Sequence, residues 1–214
     1  MKRLVILSIV VALLGVVADF AAKAYAEAQV EEVAEREGGV STSARADIRT
    51  FPFLPGVLTS GRAGGVNVHI TGMVAGRLPL AAVEIDLGDL RLDKAKLLGG
   101  EGVEVTSIRD ALLAVEVTGP DLASATGLPV RIADGKVGIS VGGRTVPVTA
   151  SVSGEGSLRL RGAAVAPAAL DLDQAGLSAC DSTRVEVRDD RLRIECETEE
   201  VPRLLVKAAA RRGG

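Results

Sequence analysis

The sequence predicts an α+β protein, an N-terminal helix followed by an antiparallel sheet. Three observations carry this prediction. Residues 20–37 show helical spacing of alanines and glutamates, the pattern changes to period two after Gly39 and persists to about residue 197, and the turns are short and glycine-rich. Short connections require antiparallel pairing, because a parallel crossover needs a dozen or more residues.

The chain has 214 residues, of which 47% are hydrophobic and 25% charged, enough to bury a core as one domain with an appendage. Its formal charge of -3 and 2% aromatic content exclude a nucleic-acid binder, which needs cations for phosphates and rings for bases. One histidine, His69, and two cysteines, Cys180 and Cys196, leave too few ligands and bases for His- or Cys-rich metal sites or histidine acid–base catalysis. The expectation is a protein that is not an enzyme and needs no cofactor and no metal.

Taken in order, Lys2-Arg3 precede the uncharged run Leu4–Ala18, a positive segment ahead of an apolar one. Residues 1–19 are therefore a signal peptide or a membrane anchor. Ala24-Tyr25-Ala26 offers a cleavage site, while the apolar Phe20-Ala21-Ala22 extends the run as an anchor would. Both forms place the rest of the chain outside the cytoplasm, in the cell envelope, membrane-anchored or secreted.

Residues 20–38 read as a long amphipathic helix ending at Gly38-Gly39, with Ala24, Ala28, Val30, Val33 and Ala34 on one side and Glu27, Glu31 and Glu35 on another. The alanine face is shallow and suits close packing on a curved sheet. Residues 39–206 form the sheet domain. Val66/Val68/Ile70, Val83/Ile85/Leu87, Leu113/Val115/Val117, Val130/Ile132, Val137/Ile139/Val141, Val146/Val148, Leu158/Leu160, Val185/Val187 and Leu192/Ile194 alternate with polar residues, giving roughly ten strands. Turns fall at Gly64-Gly65, Gly99-Gly100, Asp134-Gly135, Gly142-Gly143 and Asp189-Asp190. Asp121–Thr126 and Val201–Ala209 read as short helices, and residues 207–214 as a basic flexible tail.

With residues 188 and 191 closing the last turn, Cys196 faces residue 183, so Cys180 must fold back to form a disulfide. In an oxidising compartment the pair favours that bond, and two buried thiols are the alternative. The apolar sheet faces are built from small residues, with Phe51 and Phe53 the only aromatics after residue 50. Either a tight low-volume core or a curved sheet around a ligand void satisfies that composition.

Other motifs read as ordinary structure. Gly138-Ile139-Ser140-Val141-Gly142 matches the nucleophile elbow, but its only histidine, His69, precedes Ser140, and the flanks alternate like a hairpin. Gly154-Glu155-Gly156 lacks the context of a phosphate cradle. Glu84, Asp86 and Asp89, like Asp171 and Asp173, lack the glycine and ligand count of a calcium loop and read as solvated faces.

Phe51-Pro52-Phe53-Leu54, Gly61, the strand Val66–Met73 and the apolar/acidic alternation of Leu80–Leu92, together with the N-terminal run and Ala-rich helix, resemble the actinobacterial LmeA-like phospholipid-binding proteins. The resemblance spans about Val10 to Val206. It implies a highly curved antiparallel half-barrel with a long helix packed on it, similar to tubular lipid-binding modules, and an apolar tunnel for acyl chains. The function it implies is a cell-envelope phospholipid-binding protein that holds or carries lipid and supports lipid or lipoglycan metabolism, with phospholipid, the membrane and envelope enzymes as partners. Of the tunnel lining, Phe51, Phe53 and Leu54 match the family motif; Leu58, Val66, Val68, Ile70, Val83, Ile85, Leu87, Leu113 and Val115 follow from period-two reasoning. Phe51 and Phe53 flank a proline, which cannot donate to a ladder, so they are placed at a strand start near the tunnel mouth or under the helix, with core anchoring as the alternative. The rival expectation is a non-enzymatic envelope assembly module with a filled core and protein partners.

Overall fold

A computed structural model of the chain describes residues 2–38, 41–93, 95, 105–154, 156–162, 165–172, 175 and 177–198. Side chains of residues 2–12 lie outside this description, and with them most of the Leu4–Ala18 run. Among the described residues no helix is long and apolar enough to cross a membrane. The expected Val201–Ala209 helix, the 207–214 tail, the Gly99-Gly100 turn and Asp173 also lie outside it.

The fold is α+β, with one long helix and antiparallel sheets. Helix α1 (Lys2–Gly38) is 37 residues, about 55 Å by helical rise. The principal sheet has six strands: β1 (Ser43–Ile48), β3 (Val66–Thr71), β6 (Ala82–Gly88), β9 (Asp110–Thr118), β16 (Arg191–Thr198) and β15 (Ser182–Arg188), in the order β1-β3-β6-β9-β16-β15. A second sheet is a meander of β10 (Val130–Ala133), β11 (Lys136–Val141), β12 (Arg144–Val152), β13 (Ser157–Gly162) and β14 (Val165–Asp171). Three short strands, β2 (Arg62–Ala63), β7 (Leu90–Leu92) and β8 (Val105–Ser107), form a small sheet, and β4 (Val74–Ala75) pairs with β5 (Leu78–Pro79). No described sheet closes into a barrel; the sheets are curved, as in a half-barrel. The sixteen strands described exceed the ten expected because two- and three-residue strands are too short to show a period.

Register places the apolar residues together. Ala46, Val68, Ile85, Leu113 and Cys196 form one cross-strand row, and Ile70, Val83, Val115 and Ile194 the next. These inner-face side chains join Val130, Ile132, Val137, Ile139, Leu158 and Leu160 of the second sheet in one core. Burial of each Val, Leu or Ile contributes about 1.5–3 kcal/mol, so the shared core holds the two sheets as one body.

Two helices show how local chemistry sets the ends. Helix α3 (Gly119–Thr126) starts with a capping box: Thr118 Oγ1 accepts from the Asp121 N–H at 3.3 Å, and Asp121 Oδ2 accepts from the Thr118 N–H at 3.1 Å. Helix α2 (Phe53–Ser60) corrects the expected strand start at Phe51 and Phe53. Its N-cap, Pro52, supplies no side-chain acceptor, so Asp19 of α1 does so, accepting from the N–H of Phe53 at 2.9 Å and of Leu54 at 2.5 Å. The helix ends at Gly61, whose φ of 68° is the left-handed conformation that glycine adopts without Cβ strain.

The side of α1 that meets the sheet is a second correction. Ala24 and Ala28 are exposed, and Ala26, Val30 and Ala34 pack on the core. Glu27, Glu31 and Glu35 turn toward β1, and their Oε1 atoms accept from the N–H groups of Ile48 at 2.8 Å, Ala46 at 2.9 Å and Ala44 at 3.2 Å. An unpaired strand edge invites association with other chains. Here a helix carrying carboxylates every fourth residue satisfies every second amide of that edge.

At the opposite edge Thr183 faces Cys196 and Arg188 faces Arg191. A 3₁₀ turn, Leu177–Ala179, brings Cys180 back beneath the strand, where it bonds Cys196 with an S–S distance of 1.99 Å.

Candidate functional site

The phospholipid binding expected from the sequence would need an apolar surface for acyl chains and, at its margin, groups that tolerate a charged headgroup. Eight of the residues assigned from the sequence, Val66, Val68, Ile70, Val83, Ile85, Leu87, Leu113 and Val115, share the inner face of β3, β6 and β9. None is more than 5% exposed, so this part of the interior is closed to water. Phe53 and Leu54 are half-buried on α2. Phe51 and Leu58 stand outside, 64% and 47% exposed, and the Phe51 ring lies 5.6 Å from that of Phe20. Leu13, Leu14, Val16 and Val17 of α1 are exposed as well.

The apolar interior reaches the surface elsewhere. Val148, Ala150 and Val152 on β12 and Val185 and Val187 on β15 are half-buried against the core, where the free edge of the six-stranded sheet meets the second sheet. Period-two reasoning put Val148, Val185 and Val187 on apolar faces, but no local pattern distinguishes a fully covered face from a partly covered one.

The outer face of the six-stranded sheet is polar. The Arg193 guanidinium binds Glu84 at 3.0 Å, Glu116 at 2.9 Å and Glu195 at 2.9 Å, and Arg191 binds Glu116 at 2.8 Å. Partial burial pushes the Glu116 carboxyl up, but hydrogen bonds from Arg191 and Arg193 outweigh this and hold it below the usual carboxylate value. The bond to Glu195, set against desolvation and aided by Glu84 and Glu116, raises Arg193 further above its usual range. Of the acidic residues expected to be solvated, Glu84, Asp86 and Asp89 have solvent-exposed side chains and also pair with arginines: Glu84 with Arg193, Asp86 with Arg49 at 2.8 Å, and Asp89 with Arg109. His69 lies on this face, its Nδ1 3.7 Å from Glu84. Ser140 is on β11 of the second sheet and His69 on β3 of the first.

One described cleft, about 250 Å³, lies at the small sheet and is lined by Arg62, Asp89, Arg91, Ser107, Ile108 and Arg109. Arg62 faces Arg91 across β2 and β7, and Arg91 faces Ser107 across β7 and β8. Directly paired residues project to the same side, so two guanidinium groups and a hydroxyl line up in a row. Leu92, Val105 and Ile108 beside the row pack on the apolar core. Among the described residues, no group of three or more His, Cys, Asp or Glu side chains is placed to hold a metal.

The family model described as LmeA-like phospholipid-binding matches residues 17–201, most of the chain. The chain belongs to the LmeA-like phospholipid-binding family. The match begins within α1 and ends just beyond β16, so it takes in both sheets, the small sheet and the basic cleft. No curated protein and no solved structure matches the chain significantly. Membership of the LmeA-like family supports a lipid-binding role and sets the chain in a phospholipid-binding rather than an enzyme family.

Proposed function

We propose that this protein works in the cell envelope, outside the cytoplasm, holding or carrying the acyl chains of a phospholipid in its apolar interior and catalysing no reaction. The observation that carries this reading is the single apolar core shared by two open sheets, half-covered where β12 approaches β15. Each methylene moved from water into such a lining contributes about 0.8 kcal/mol, so ten sheltered methylenes contribute about 8 kcal/mol toward parting side chains that pack closely without lipid. The inner faces of β3, β6 and β9 become a tunnel wall as the sheets separate along that seam. The run Leu4–Ala18 exports the domain, and the exposed Val16, Val17, Phe20, Phe51 and Leu58 rest against the membrane with which that run is continuous. Lipid held there is presented to envelope enzymes of lipid or lipoglycan metabolism.

Native mass spectrometry of the full chain released from detergent, followed by organic extraction, tests the reading. A bound phospholipid of defined mass is the expected result. A ligand-free mass, with no uptake of a labelled phospholipid, overturns it. The second reading, an assembly module with protein partners, is favoured by the closed interior at Val68, Val83 and Val115 and the exposed apolar surface around Phe51. That ligand-free result, with Phe51→Ser releasing a co-purifying protein, is its signature.

A further inference from the structure

We infer that the cleft on the small sheet binds a phosphate-bearing anion, with Arg62 and Arg91 as its principal ligands, Ser107 as a third donor and Arg109 at its rim. Among the described residues the cleft offers three guanidinium groups against one carboxylate, and that carboxylate, Asp89, is already taken by Arg109. Neither Arg62 nor Arg91 has an ion-pair partner among the described residues, although the two stand directly opposite each other. Like charges facing across a strand pair are unfavourable, whereas on the six-stranded sheet Arg49 has Asp86 and Arg193 has three glutamates. An uncompensated pair beside a cleft is the arrangement that an incoming anion relieves.

The chemistry selects phosphate. Guanidinium groups bind phosphate oxygens through paired N–H donors, and the direct pairing of Arg62 with Arg91 on neighbouring strands, whose backbones lie about 4.8 Å apart, lets both side chains reach one tetrahedral anion. The Ser107 hydroxyl, next in the row, donates to a third oxygen. Ile108 lines the cleft, and Leu92 and Val105 continue the apolar surface into the core, so a phosphate attached to an acyl-bearing glycerol has both ends accommodated. Assigning the anion to a lipid headgroup rests on the lipid-binding reading; the anion site itself does not.

The test is calorimetric titration of the full chain in uncharged detergent with three probes: a short-chain phosphatidylglycerol, glycerol 3-phosphate and inorganic phosphate. The variants are Arg62→Gln with Arg91→Gln, and Arg131→Gln on β10 as a control outside the cleft. A lipid headgroup site predicts phosphatidylglycerol binding at least tenfold weaker in the double variant and unchanged in the control. A site for free phosphate compounds predicts the same loss for glycerol 3-phosphate or inorganic phosphate while lipid uptake persists. Equal lipid binding in wild type and double variant, with no phosphate binding to either, overturns the site and leaves the lipid-binding reading standing. Failure of the wild type to bind any of the three overturns both. Arg91→Gln alone must also leave the ligand-free melting temperature equal or higher, because it removes a repulsion; a clear fall shows the arginine to be structural and overturns the assignment.

Discussion

Removing the carboxylates from α1 should destabilise the sheet in a graded order set by burial of the amides they serve. Four helical residues rise about 6.0 Å, and two strand residues about 6.7 Å, so the rungs between α1 and β1 fall out of step by roughly 0.7 Å at each repeat. The N···O distances follow that drift, lengthening from 2.8 Å at Glu27 to 2.9 Å at Glu31 and 3.2 Å at Glu35. Ile48 and Ala46 are 4% and 6% exposed, whereas Ala44 is half-buried. In Glu27→Ala or Glu31→Ala a buried N–H loses its acceptor, at a cost of about 1–3 kcal/mol, reduced by a few tenths because alanine is the better helix former. In Glu35→Ala water replaces the longest bond, and the cost should stay below about 0.5 kcal/mol. Glutamine keeps an acceptor without the charge and should recover roughly half of each loss. Urea unfolding of the full chain in uncharged detergent measures the order, and hydrogen exchange at the Ile48 and Ala46 amides localises it. Losses below about 0.5 kcal/mol for both Glu27→Ala and Glu31→Ala, with exchange at those amides unchanged, would refute the ladder.

Acid should weaken the outer face through Glu116. Its folded carboxyl is held below the usual value, so its contribution is complete above the unfolded-state value and is lost as pH falls through the folded one. Wild-type stability should therefore decline in that acidic window, and Glu116→Gln should flatten this part of the profile; parallel profiles contradict the assignment. Arg193→Ala, which leaves three carboxylates facing one another, should lower stability by about 2 kcal/mol at neutral pH, between an exposed pair and a buried one. Added salt should reduce that penalty. Replacing both Cys180 and Cys196 by serine releases a crosslink spanning 16 residues, for an expected loss of about 3 kcal/mol in thermal unfolding, with wild type under reductant behaving alike.

Much of the framework was legible in residue order. Period-two runs such as Val83-Glu84-Ile85-Asp86-Leu87 fix which side faces the core, because a slip of one residue would expose the whole set. The hairpin at Asp189-Asp190 fixed the 183/196 pairing. Helix α2 was hidden because its N-terminal acceptor, Asp19, is 34 residues away from Phe53, beyond any local capping signal. Glu27, Glu31 and Glu35 resembled a solvent face for the same reason: period four shows that they share a side, and only β1 shows what that side meets. The basic cleft was missed because Arg62, Arg91 and Arg109 are scattered in sequence and meet only through pairings of two or three residues.

Asp19, Lys23, Glu27, Glu31 and Glu35 lie at a constant spacing of four, and four of them engage either the edge of β1 or the start of α2 directly, while Lys23 reaches Asp47 of β1. This gives α1 a phase as well as a length. One residue inserted between Asp19 and Glu27 turns everything before it by about 100° relative to the sheets, carrying Asp19 off α2 and Phe20 off Phe51; four inserted residues restore the bearing to within about 40° and shift it by only about 6 Å. The direction in which the apolar start of the chain faces is thus a rotational setting of the helix, keyed to the sheet by its acidic residues, and the domain's pose follows from counting in fours.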